Sequence, residues 1–77
     1  MDAYRRALSA YLEPQDRTQE ALAAAIGRSQ AAVNRYVNGE RFPDADTARK
    51  IEEASEGAVP FETWLNVATE RLLGEAA

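Results

Sequence analysis

Gln30, Ala31, Asn34 and Arg35 are the residues of this sequence with the most chemistry to offer. Their spacing puts them on one face of a helix. Each amide presents a donor beside an acceptor, and the guanidinium presents a planar fork of donors. Such groups match the edges of bases: Gln and Asn pair with adenine, and Arg with guanine. Small residues such as Ala31 and Ala32 allow close approach or touch a thymine methyl. This is recognition chemistry, in which no bond is made or broken. Nothing else in the chain suggests catalysis. With no histidine and no cysteine, a Ser–His–Asp triad, a Cys–His pair, a disulfide and a thiolate or imidazole zinc site are all excluded. There is no phosphate-binding loop, and the carboxylate pairs Asp44/Asp46 and Glu52/Glu53 fall at cap and solvent positions. The expectation is a non-enzyme with no cofactor, no metal and no small-molecule substrate.

The elements that must position these residues follow from local signals. Thr18 is an N-cap for a short alanine-rich helix over 19–26, with Glu20 in its first turn, where a negative charge suits the helix dipole. Leu22, Ala23 and Ile26 point inward. Gly27 stops this helix, because glycine accepts the left-handed conformation that other residues resist. Ser29 caps the next helix, over 30–38, and Gly39 closes it. Its inward positions are Val33, Val37 and Tyr36. Two helices joined by so few residues cross steeply, and Ala23 lets them approach closely. The result is a helix-turn-helix over 18–39, a frame that seats its second helix in the major groove of DNA.

The flanking elements are helical too. Asp2 caps a first helix over 3–12, with Tyr4, Ala7, Leu8, Tyr11 and Leu12 on one stripe and Arg5, Arg6 and Ser9 facing away. Pro14 ends it. After the Arg41-Phe42-Pro43 turn, Asp44 caps a fourth helix over 45–55, with Ala48, Ile51 and Ala54 inward and Gly57 at its end. Pro60 suits the first position of a fifth helix over 60–73, ended by Gly74. GAVPF, residues 57–61, is the weak point and could instead be extended. No region shows the period of two that a sheet requires. The fold class is all-α, a single domain spanning 1–77.

The net charge of −4 hides an uneven distribution. Residues 17–41 carry four arginines against two glutamates, a net of +2, whereas 1–16 carry −1 and 42–77 carry −5. The basic stretch coincides with the helix-turn-helix. No apolar run approaches the ~18 residues that span a membrane, and the N-terminus lacks the apolar core of a signal peptide. A cytoplasmic, nucleoid-associated protein of a bacterial host is expected. A chain this short buries only about 60% of its unfolded surface, so modest stability or help from a partner subunit is expected.

Residues 18–39, TQEALAAAIGRSQAAVNRYVNG, resemble the helix-turn-helix of the Cro and lambda-repressor-like superfamily. The matching positions are Gln19, Ala23, Gly27, Val33 and Asn38-Gly39. The run NGERFPDADTARKIEEASEGAVPFETW is similar to a subgroup of small phage and prophage Cro and YdaS-like regulators. The likeness covers roughly 4–64. It implies a lambda-repressor-like domain that binds double-stranded operator DNA. It also implies that Gln30, Ala31, Asn34 and Arg35 read bases, that Gln19 bonds a phosphate and buttresses Gln30, and that Asn38 contacts the backbone. On charge and position, Arg17, Arg28, Ser29 and Arg41 are further backbone contacts.

One recognition helix reads few base pairs, so a homodimer on a palindrome is expected, either preformed or assembled on DNA. The dimer element is placed at 58–74. Phe61, Leu65, Ala68 and Leu72 fill the chain's own core, leaving Trp64, Val67 and Leu73 for the partner subunit. A Cro-type repressor is the leading expectation. The competing one is an antitoxin-like protein whose main partner is a toxin bound through the fifth helix or the acidic tail.

Overall fold

A computed structural model describes residues 2–76, so Met1 and Ala77 of the expected domain lie outside the described residues. The chain forms α1 (Ala3–Tyr11), α2 (Gln19–Ile26), α3 (Gln30–Asn38), α4 (Ala45–Ala54) and α5 (Phe61–Ala76), with no strand among the described residues. The GAVPF segment is therefore not a strand: Val59 is fully buried, and its N–H donates to the Ser55 hydroxyl at 3.1 Å.

Four helices start as local chemistry dictates. The side chains of Asp2, Thr18, Ser29 and Asp44 each accept from the backbone N–H three residues on, at 2.8–3.1 Å. Each bond satisfies one of the orphan donors of a first turn. α5 is started differently. The Pro60 carbonyl accepts from Thr63 and Trp64, and the Phe61 N–H is taken by the Glu52 carboxylate of α4 at 2.9 Å. Pro60 thus precedes the helix instead of opening it. At the far end α5 runs through Gly74, where a stop was expected. Gly74 does not adopt a positive φ, and a glycine inside a helix costs only about 1 kcal/mol.

All five helices contribute to one core built on Tyr4, Leu8, Leu22, Ile26, Val33, Ile51, Val59 and Val67. Tyr36 belongs to it as well, at 6% exposure, so it packs and does not face outward. The inward face of α5 departs from the expected stripe. Leu65 and Leu72, expected inside, are 48% and 68% exposed, and Val67, expected to face a partner subunit, is 4% exposed. The cause is an aromatic stack. Trp64 lies between Phe42 (centroids 5.5 Å, rings 11° apart) and Phe61 (5.1 Å, 27°), and its Nε1 donates to the Pro43 carbonyl at 2.8 Å. Arg71 covers Phe42 at 4.5 Å. Seating Trp64 and Arg71 on Phe42 turns α5 so that Val67, not Leu65 or Leu72, meets the core. Trp64 is half-buried and engaged within its own chain. Of the three residues expected at a dimer contact, Leu73 alone is freely exposed, at 65%.

Candidate nucleic-acid interface

α2 and α3 close with matching helix ends, the first of which forms the turn between them. Gly27 (φ 69°) and Gly39 (φ 76°) are both left-handed. At each, the next residue's N–H reaches back to close the turn: Arg28 to the Ala23 carbonyl at 3.0 Å, and Glu40 to the Arg35 carbonyl at 2.9 Å. This is the Schellman pattern, which leaves few carbonyls at the helix end without a donor. Ala23, 3% exposed, permits the close approach. The bracing helix and the following helix are therefore joined by a turn with no slack.

The structure brings the sequence-expected readers together. Gln30, Ala31, Asn34 and Arg35 are all exposed. They line one open recess of about 430 Å³ with Gln19 from the start of α2 and with Glu40. Neutral amides, one guanidinium and one carboxylate converge there. Asn34 is oriented from below: its Oδ1 accepts from Asn38 Nδ2 at 3.0 Å, one helical turn along. A candidate base reader and a candidate phosphate contact are thus coupled in one hydrogen bond.

The remaining backbone-contact candidates fall into two groups. Arg17 and Arg41 are exposed, and the Arg17 guanidinium rests over the Tyr11 ring at 4.8 Å. Ser29 and Arg28 have work within the fold. The Ser29 hydroxyl caps α3. The Arg28 guanidinium donates to the buried Thr47 hydroxyl at 3.3 and 3.1 Å, and it approaches Asp44 at 3.9 Å. It ties the turn of the helix-turn-helix to the start of α4. Asp44 accepts from Thr47 N–H, which holds its carboxyl below the usual range, with Thr47's side chain and the Arg28 charge adding to the effect.

Sequence reasoning missed three contributors. Arg5, expected to face away, donates from Nε to the Val37 carbonyl at 3.1 Å. A positive side chain thereby caps the C-terminal end of α3, where the helix dipole favours it. Its guanidinium lies where a Cβ on Gly39 would stand. Thr47 holds Arg28, and Glu40 enters the recess. No local pattern announces Arg5 or Thr47, since their partners lie 32 and 19 residues away. The signal for Glu40 was its place directly after the Asn38-Gly39 helix stop.

Among the described residues no group of acidic side chains could hold a metal ion, and no helix is long and apolar enough to cross a membrane. No match appears among curated proteins or solved structures. The family model HTH_3, described as helix-turn-helix, matches residues 8–54, from the middle of α1 to the end of α4. That span holds the crossing of α2 and α3, the glycine turn and the recess together. It exceeds half of the chain, and the protein belongs to the HTH_3 helix-turn-helix family as a small all-α, lambda-repressor-like DNA-binding transcriptional regulator.

Proposed function

We propose that the chain is a sequence-specific repressor of the Cro type, in which α3 reads the major groove of a palindromic operator and α5 pairs two copies. The observation that carries this is the convergence of Gln19, Gln30, Ala31, Asn34 and Arg35 on a single exposed recess. Their donors and acceptors suit base edges, and their charge is too small to bind phosphates alone. Gln30, Asn34 and Arg35 are the base readers. Gln19, Asn38, Arg17 and Arg41 are the backbone contacts, with Ser29 and Arg28 acting first as supports of the turn. The reading assigns the chain no catalytic step and no cofactor.

The proposal for pairing shifts with the geometry of α5. Among the described residues, the large apolar side chains most exposed, Leu65, Leu72 and Leu73, all lie on that helix. Exposed apolar area of this kind marks an interaction surface. The dimer contact is therefore assigned to these leucines and not to Val67. The same patch also supports the second reading, an antitoxin-like protein that uses α5 to hold a toxin.

In-vitro selection from a random duplex library tests the first reading. Two inverted half-sites centred about 34 Å apart are expected. An unenriched library after several rounds contradicts the operator reading. A single half-site contradicts the dimer.

A further inference from the structure

We propose that Glu40 is a specificity-determining residue, whose carboxylate penalises binding to the DNA backbone and so makes binding depend on matched bases. The inference rests on the DNA-reading role proposed for the recess.

Three observations carry it. First, Glu40 lines the same recess as Gln30, Asn34 and Arg35, and its negative charge offsets the only cation there. Second, its position is set by the fold. The Glu40 N–H is bonded to the Arg35 carbonyl in the turn that Gly39 closes, so its backbone is fixed beside the recess. Third, the folded chain gives the carboxylate no structural task. Among the described residues, neither a hydrogen bond nor an ion pair holds it, the two ion pairs there being Arg28–Asp44 and Lys50–Asp46. It also stands just beyond the C-terminal end of α3, where the helix dipole disfavours negative charge. Glu40 thus sits where it slightly harms the helix and faces the surface that meets DNA.

The consequence follows from charge. An ionised carboxylate only accepts hydrogen bonds, and phosphate oxygens offer none. Non-specific binding consists almost wholly of cation–phosphate attraction, so it bears the full repulsion. At a matched site Gln30, Asn34 and Arg35 seat the recess against base edges, which carry no formal charge, so the carboxylate meets less of that repulsion there. The device lowers affinity for all DNA while widening the gap between right and wrong sequences, a repulsive element used for discrimination.

The test compares wild type, Glu40→Gln and Glu70→Gln. The last removes the same charge from an exposed position on α5. Each is titrated against the selected duplex and a scrambled duplex of equal length at two salt concentrations. Glu40→Gln is expected to tighten scrambled-duplex binding about three- to fivefold at low salt, the scale of one exposed charge interaction, and to lose much of that gain at high salt. The selected duplex should gain less than about twofold, so the ratio between the two falls. Glu70→Gln should leave the ratio unchanged. Three results overturn the inference: an unchanged ratio in Glu40→Gln, an equal change in Glu70→Gln, or a selective loss of the selected duplex. The last would make Glu40 a direct acceptor from a base. A wild type that fails to distinguish the duplexes overturns the DNA-reading role itself, and the inference with it.

Discussion

Gly39→Ala should cost more stability than Gly27→Ala, and the excess should trace to the Arg5 guanidinium. Both glycines are left-handed, with φ of 76° and 69°, so both substitutions pay a similar conformational cost of about 1–2 kcal/mol. Their surroundings differ. A Cβ on Gly27 would meet nothing within 4 Å, whereas one on Gly39 would stand 2.7 Å from Arg5 Cζ and Nη1 and 2.9 Å from Nε. That Nε bonds the Val37 carbonyl at 3.1 Å. The guanidinium ends a flexible side chain, so it can swing aside, but the bond that caps α3 is then lost. A half-buried bond from a charged donor contributes about 1 kcal/mol. Gly39→Ala should therefore cost about 2–3 kcal/mol against about 1–2 for Gly27→Ala. In a domain of this size each kcal/mol lowers Tm by about 4–8 °C. Thermal and urea denaturation followed by circular dichroism would measure both, alone and with Arg5→Ala. In the Arg5→Ala background the excess at Gly39 should vanish. Equal costs in the wild-type background, or an excess that survives without Arg5, would refute the reasoning.

Two further predictions concern ionisable groups in the fold. The Tyr4 side chain is 1% exposed, and its hydroxyl finds no partner among the described residues. Tyr4→Phe should therefore be stabilising by about 0.5–1.5 kcal/mol in urea denaturation at neutral pH, because an unsatisfied buried donor is removed. Burial, and secondarily Tyr36, pushes the Tyr4 phenol well above its ordinary range. The unfolded chain releases that proton near pH ~10, so wild-type stability is full below that pH and falls as pH rises through it. Tyr4→Phe should lose this alkaline decline, and a parallel decline in both proteins would contradict the assignment. For Asp44 the sign is opposite. The Thr47 N–H lowers its folded pKa, so its contribution is full above the unfolded value of about 3.9 and is lost as pH falls below it. Asp44→Asn, which keeps a capping oxygen, should flatten that part of the acid limb, and Asp44→Ala should lower stability at every pH. An acid limb unaltered by Asp44→Asn would contradict the assignment.

The parts legible in the sequence were those set by local chemistry. Thr18, Ser29, Gly27 and Gly39 mark the ends of α2 and α3 within a few residues of the groups they satisfy. The caps and the periodic apolar positions therefore sufficed to place the helix-turn-helix. The pairing of Gln19 with Gln30 was implied only by the resemblance to the lambda-repressor-like helix-turn-helix, since no cap or apolar period points to it. The face of α5 was different. Phe61, Leu65 and Leu72 form a credible stripe on their own, and only the stacking of Trp64 on Phe42, 22 positions away in sequence, selects Val67 as the buried residue. Arg5 shows the same limit. Its helix gives no hint that its guanidinium caps a carbonyl 32 residues later. Glu52 at the start of α5 is a third case: a capping side chain borrowed from another helix leaves no capping box to read.

The central claim is that α3 reads bases through Gln30. Its most direct measurement is a titration of wild type and Gln30→Ala against the selected operator and each single-base variant of one half-site. Gln30→Ala should lose about 1–3 kcal/mol of affinity and become indifferent to base identity at one position, with preferences elsewhere intact. Arg17→Ala or Arg41→Ala, run alongside, should weaken every duplex alike and reduce the salt dependence. A Gln30→Ala protein that retains wild-type affinity and the wild-type preference at every position would contradict the account.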